Sequence, residues 1–150
     1  MRVIIQRVSQ ASVEINNIIK SKIDNGLLIL AGFEETDNEE DIIWMANKIS
    51  QLRVFNDKNK IMNLSVSEVG GDILVISQFT LYAKTKKGNR PSYIKSAPPD
   101  IAIPLYDNFI SVLKNIIGKE IKTGEFGAMM NVSLINSGPV TIFIDTKNKE

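Results

Sequence analysis

"MMNVSLINSGPVTIFID", residues 129–145, is the stretch whose reading decides how the C-terminal end folds. It reads as two strands, Met130 to Ile135 and Val140 to Asp145, rich in Val, Ile, Leu and Phe. Asn136, Ser137 and Gly138 between them are hairpin-turn residues, because Asn and Gly tolerate positive φ. Pro139 is unusual there: it donates no ladder hydrogen bond and restricts Gly138 before it. The expectation is a C-terminal hairpin carrying a stiff Gly138-Pro139 element.

Upstream, "RVIIQRV" (2–8), "ASVEI" (11–15) and "IIKSKI" (18–23) read as short strands. "LLILAGF" (27–33) is unbroken and apolar, as in a strand buried on both faces. "TDNEEDIIWMANKISQL" then changes period. Thr36 with Glu39 makes a capping box, acids fill the first turn, and Ile42, Met45, Ala46, Ile49 and Leu52 follow at helical spacing. A helix is expected from about 38 to 52. "DILVISQFTLYA" (72–83) reads as a long buried strand introduced by the turn pair Gly70-Gly71.

After the basic loop "KTKKGNRPSY" (84–93), a second helix follows "APPD". Its stripe is Ala102, Leu105, Tyr106, Phe109, Val112, Leu113 and Ile116, with Pro104 placed in the first turn and Gly118 as the stop. "TKNKE" (146–150) reads as a solvated tail. The pattern is mixed α/β: a single domain over 1–150 of roughly seven strands, mostly antiparallel or mixed and barrel-like, with two helices.

Composition shortens the catalytic menu. The 150 residues are 43% hydrophobic and 23% charged, enough for one sizeable core. A net charge of +1 provides no strong field, so nucleic-acid contact must come from a local patch. With no cysteine there is no disulfide, thiolate nucleophile or thiolate metal site. With no histidine, the commonest general base and metal ligand is missing. "MRVIIQRV" is too short for a signal peptide's apolar region, and "GLLILAGF" falls far below the roughly 20 residues of a membrane helix. A cytoplasmic protein is expected.

Three stretches can carry chemistry. "SQFTL" (77–81) interrupts a buried strand with polar residues; alternation places Ser77, Phe79 and Leu81 on one face and Gln78, Thr80 and Tyr82 on the other. Either these are satisfied core groups or they form a polar site at a strand end. "GEFGAMM" (124–130) sets glycines around Phe126 before two methionines, which suits either a packed bend or an adaptable surface for a base. "KTKKGNR" has four cations in seven residues, suited to phosphates or to plain solvation. "EETDNEED" (34–41) coincides with a helix start, where acids belong on dipole grounds, and is read as structural. No P-loop or dinucleotide-binding glycine pattern is present.

"SQFTL", "KGNRPSY", "GEFGAMMNVSL" and "NSGPVT", in this order and spacing, resemble the D-aminoacyl-tRNA deacylases. The similarity runs from "MRVIIQRVSQASVEI" to the C-terminal strands. The resemblance implies a homodimeric hydrolase, with active sites at the subunit interface, that cleaves the ester joining a D-amino acid to the 3′ end of tRNA. It also implies removal of glycine mischarged on tRNA for alanine, with no metal, cofactor or membrane involved. By the same resemblance Ser77, Gln78, Phe79 and Thr80 line the aminoacyl pocket. Gly138 and Pro139 form a cis dipeptide that excludes L side chains and reaches the site from the partner subunit. Phe126, Ala128 and Met129 lie near the adenine, and Arg7 helps fix the Gly-Pro segment.

One departure is visible. The family usually has a glycine-rich turn before its "GLL" strand, where this chain reads "NNIIKSKIDNG" (16–26), so the early hairpin is expected to differ in shape. An activated ester next to a ribose hydroxyl needs only positioning and oxyanion donors, for which backbone N–H groups around Phe79 and Thr80 are candidates. Other readings stay open. They are an editing deacylase with a trans Gly-Pro bond that accepts L-alanyl esters, an esterase with Thr80 as nucleophile, and a non-catalytic RNA-binding dimer using "KTKKGNR".

Overall fold

The computed structural model describes residues 1–150, and its two longest strands lie at the two ends of the chain. β1 (Arg2–Ile15) is continuous through the two segments expected as separate strands. β8 (Asn131–Asp145) runs antiparallel beside it from Glu14 opposite Asn131 to Arg2 opposite Asp145. The expected C-terminal hairpin is therefore not formed. Asn136–Val140 does not reverse the chain: Val8 faces Asn136 and Gln6 faces Thr141, so the intervening residues bulge out opposite Arg7. A local turn signal has been overruled by pairing with a strand more than a hundred residues away.

β2 (Ile18–Ile23) pairs with the distal half of β1 across a two-residue loop, Asn16-Asn17. Both asparagines have positive φ (51° and 62°), the signature of a type I′ turn, so no glycine is required there. β3 (Gly26–Gly32) pairs with the proximal half of β1. β6 (Asp72–Ser77) lies parallel to β3, and the two-residue β7 (Lys122–Thr123) lies parallel to β6. The sheet order is β2-β1-β3-β6-β7 with β8 on the other edge of β1. Ser21 Oγ of β2 donates to the Thr123 carbonyl of β7 at 2.6 Å, so the mixed sheet curls into a nearly closed barrel.

Helix α1 (Glu39–Gln51) and a small hairpin, β4 (Phe55–Asn56) with β5 (Met62–Leu64), connect β3 to β6. Asn38 caps α1, and its capping partner is Asp41; the box is not the Thr36–Glu39 pair the sequence suggested. Helix α2 (Pro99–Ile117) connects β6 to β7 and ends on Gly118 in the left-handed region, whose N–H donates to the Lys114 carbonyl at 2.9 Å. Pro104 falls beyond the first turn, as a proline inside the helix. The tail is exposed from Lys147 onward, as expected, but it is not free: Thr146 is buried, Lys147 Nζ meets Asp41 at 2.6 Å, and Lys149 lies over the Trp44 ring at 4.5 Å.

Two cores divide the apolar residues by strand face. Leu27, Ile29, Ile73 and Val75 pack with Ile42, Met45, Ile49, Phe109 and Leu113 beneath the helices. Leu28, Leu74 and Ile76 turn the opposite way, onto Val8, Val13 and Ile23 inside the curl. β3 and β6 are thus buried on both faces, which is why they read as unbroken apolar runs. Truncating Phe109, fully buried at their junction with α2, would destabilise by about 3–5 kcal/mol. No helix is long and apolar enough to cross a membrane.

Candidate active site

β6 stops at Ser77, not at Ala83. The Gln78 N–H still donates to the Ala31 carbonyl at 2.7 Å, but Phe79–Tyr82 then wind into one 3-10 turn. The strand alternation expected for "SQFTL" accordingly fails. Close approach explains where the turn sits: a Cβ on Gly32 would lie 2.8 Å from the Gln78 carbonyl oxygen and 3.2 Å from Leu81 Cβ. Tyr82 anchors the far end, fully buried with the Arg2 guanidinium 4.5 Å from its ring centre. Burial, reinforced by Asp37, Glu34 and Asp145, pushes its phenol pKa up, so it stays protonated.

Beside this turn lies a cavity of ≈ 580 Å³, with 11 of its 17 lining residues hydrophobic. Such a lining suits the face of a flat ring more than a fully hydrated ligand. Ser77, Gln78 and Phe79 line it from the end of β6, and Phe126, Ala128, Met129 and Met130 line it from the segment before β8. The latter segment bends at Gly127, whose φ is +76°. Phe126 rests edge-on against Tyr106 with ring centroids 5.9 Å apart. The Tyr106 hydroxyl donates to the Val75 carbonyl at 3.0 Å, which ties that wall to β6. Burial pushes the Tyr106 pKa up as well, keeping this donor in place.

Six of the expected site residues therefore surround one cavity: Ser77, Gln78, Phe79, Phe126, Ala128 and Met129. Thr80 stands next to it, its Oγ1 accepting from Gln78 Nε2. Arg7, Gly138 and Pro139 line no part of it. They form a second assembly on the β8 bulge, where Gly138-Pro139 is a cis peptide and both residues are exposed. Arg7, only 7% exposed, donates from Nε to the Ser137 carbonyl at 3.0 Å and from Nη2 to the Gly138 carbonyl at 2.9 Å. Its Nη1 donates to the Val54 carbonyl.

The rest of the lining comes from residues that sequence reasoning passed over. Ser96, Ala97, Pro99 and Ala102 at the start of α2, with Gly32 and Phe33 at the end of β3, close the cavity. "APPD" gave only a helix-start signal, and nothing local marks it as a wall. No cluster of three or more His, Cys, Asp or Glu side chains is arranged to hold a metal ion.

Comparison with known proteins matches the chain to one family. The D-Tyr-tRNA(Tyr) deacylase family profile matches residues 4–145. Proteins named D-aminoacyl-tRNA deacylase from Flavobacterium psychrophilum and Bacteroides fragilis are each 63% identical over 150 residues, covering all of both chains. A solved structure named c-Myc DNA unwinding element binding protein is 37% identical, with a TM-score of 0.91 over 97% of this chain and 98% of its own. A probable eukaryotic D-amino acid tRNA deacylase is 20% identical and shares the fold, with a TM-score of 0.81 over 95% of this chain and 97% of its own. On the profile match and the full-length identities together, the chain belongs to the D-Tyr-tRNA(Tyr) deacylase family.

Proposed function

We propose that the protein hydrolyses the ester between a D-amino acid and the 3′-terminal adenosine of tRNA, and likewise releases glycine mischarged on tRNA for alanine. The observation that carries this reading is the separation of two assemblies: the cavity beside the 3-10 turn, and the exposed, Arg7-held Gly138-Pro139 knuckle that lines no part of it. A homodimer joins the two halves. β8 pairs only with β1, which leaves the other edge of this fifteen-residue strand unpaired. Beside that edge Leu134, Ile135 and Phe143 are 38%, 53% and 58% exposed, an apolar surface that a second copy would cover.

In that assembly the adenine lies between Phe126, Ala128 and Met129, and the ester carbonyl faces the 3-10 turn. The first N–H groups of a helical turn have no partner within it, so those of Phe79 and Thr80 are the donors to the developing oxyanion. The neighbouring ribose hydroxyl assists attack, and neither a side-chain nucleophile nor a metal takes part. The partner's Gly-Pro backbone occupies the space that an L side chain would need and leaves room for a hydrogen or a D side chain.

Following ester loss from D-tyrosyl-tRNA and L-tyrosyl-tRNA, with and without EDTA, tests the reading. Hydrolysis of the D-ester alone, unaffected by EDTA, is expected. Equal hydrolysis of both esters, or binding of tRNA without hydrolysis, would overturn it. Loss of activity restored by Zn²⁺, with tRNA structure controlled for, would overturn the metal-free step. Sedimentation at micromolar concentration should give a dimer, and a monomer active on tRNA would sink the shared site.

A further inference from the structure

Phe79 of the cavity wall belongs to an aromatic pair whose other member, Tyr93, takes no part in the proposed site. Phe79 is 55% exposed and Tyr93 38%, and their rings meet edge-on with centroids 5.0 Å apart. Tyr93 belongs to a turn that leads straight into the cavity wall, since its carbonyl accepts from the N–H of Ser96 at 2.9 Å. Between the pair's two elements hangs a loop closed by reciprocal backbone hydrogen bonds between Lys84 and Ser92 (2.8 and 3.1 Å). From Lys84 to Lys95 the chain has five cations and no acid. All twelve residues are exposed, and none of the five cations enters an intrachain ion pair. In a chain of net charge +1, this is a local concentration of positive charge beside a bare aromatic face.

A bare ring next to unpaired cations is what single-stranded nucleic acid requires, a π-face for a base and charges for the backbone that follows. We propose that Tyr93 and the Lys84–Lys95 loop form a subsite for the single-stranded nucleotides that precede the terminal adenosine. A base stacks on Tyr93, braced by Phe79, while the next phosphates meet Lys84, Lys86, Lys87 and Arg90. The inference rests on the deacylase reading for what fills the cavity, but the subsite itself is a contact to RNA and can be measured apart from hydrolysis.

Two substrates separate the subsite from the catalytic centre: a D-aminoacyl ester of adenosine alone, and the same ester on a short oligoribonucleotide ending in CCA. Wild-type protein should favour the oligonucleotide ester in kcat/KM by about tenfold or more, the usual worth of a stacked base. Tyr93→Ala should lose that advantage and leave the adenosine ester unaffected, and Tyr93→Trp should keep it. Equal losses on both esters, or no loss on either, would overturn the subsite while the deacylase reading stands. If wild-type protein hydrolyses neither ester, that reading fails, and binding decides the subsite alone. Fluorescence anisotropy with the unesterified oligonucleotide should then show weaker binding by Tyr93→Ala. It should also show a salt slope flattened by about 0.7 for each phosphate no longer neutralised when Lys84, Lys86 and Lys87 are replaced by alanine. Unchanged affinity and slope in those variants would overturn it.

Discussion

The Nη2 of Arg7 donates to the Gly138 carbonyl at 2.9 Å, and the same guanidinium reaches the carbonyls of Ser137 and Val54. A strand residue near the N-terminus thus fixes the shape of a bulge near the C-terminus. Arg7→Ala would leave these carbonyls without their charged donor, at a stability cost of about 3 kcal/mol. At a temperature where the variant remains folded, kcat/KM for D-aminoacyl-tRNA should still fall more than tenfold, because the knuckle is no longer aimed. Urea unfolding and deacylation on the same preparation check this. A variant that is destabilised yet fully active would reduce Arg7 to a structural role.

The same bulge marks the limit of local reading. β3, α1 and α2 were legible because their signals are local and agree with their burial: an unbroken apolar run, acids before a helical stripe, and a glycine stop. Asn136–Pro139 has a turn's composition, but its conformation is set by Arg7 and by pairing with β1, neither of which its own residues disclose. "SQFTL" can wind into its turn only because Gly32 on a neighbouring strand leaves room for it, and Thr146 and Lys147 fold back onto Asp41 of α1. The cavity draws on four separate segments, so only the two with unusual composition, "SQFTL" and "GEFGAMM", stood out beforehand.

Gly32 is the residue that lets the 3-10 turn lie close against β3. Alanine there would place its Cβ against the Gln78 carbonyl, a backbone atom that cannot swing aside. Gly32→Ala should destabilise by about 1–3 kcal/mol through overpacking and displace the 3-10 turn. Deacylation should drop more than tenfold. Full activity in a folded Gly32→Ala protein would show that the turn tolerates the shift and that its position matters less than proposed.

Thr80 Oγ1 accepts from Gln78 Nε2, and its own proton is donated to no basic side chain that could activate it. Thr80→Val removes that acceptor and should lower activity through an effect on the order of 1–3 kcal/mol, not abolish it. Mass spectrometry of protein quenched during turnover should find no acyl adduct. A covalent aminoacyl group on Thr80 would establish nucleophilic catalysis instead.

Acid and alkaline stability should both report on the tail. For Asp41, burial works against the ionised carboxylate, but Lys147, Thr146 and the Asn38 N–H outweigh it and hold the pKa below its ordinary 3.8. Asp145 is likewise lowered against its burial, by the Lys147 N–H and Arg2. A depressed carboxyl pKa contributes stability above the unfolded value, and that contribution disappears as the pH falls below 3.8 through the folded value. Lys147 is raised above 10.5, chiefly by its hydrogen bond to Asp41, so its contribution is present below 10.5 and lost at higher pH. Thermal midpoints should fall below about pH 3.8 and above about pH 10, where the buried Tyr82 and Tyr106 phenols share the alkaline loss with Lys147. Lys147→Met should shrink both the acid and the alkaline losses, and unaltered limbs would show that the tail contact does not contribute.

Gly138 separates the needs of the fold from those of the assembled site. Its φ lies outside the left-handed region, and a Cβ there would meet only Asn136 Nδ2, at an ordinary 3.9 Å. Nothing within its own chain therefore requires a glycine at 138. If the residue is instead pressed against a substrate held by the partner subunit, a methyl group will be felt there and nowhere else. Gly138→Ala should unfold within about 0.5 kcal/mol of wild type, as surface substitutions do. It should nonetheless lose most of its activity on D-aminoacyl-tRNA, with KM rising as the acyl group is crowded. Mixing the variant with a Gln78→Ala protein should restore part of the activity, because each heterodimer would pair one intact cavity with one intact knuckle. Wild-type kinetics in Gly138→Ala, or no recovery on mixing under conditions where subunits exchange, would place the selective surface elsewhere.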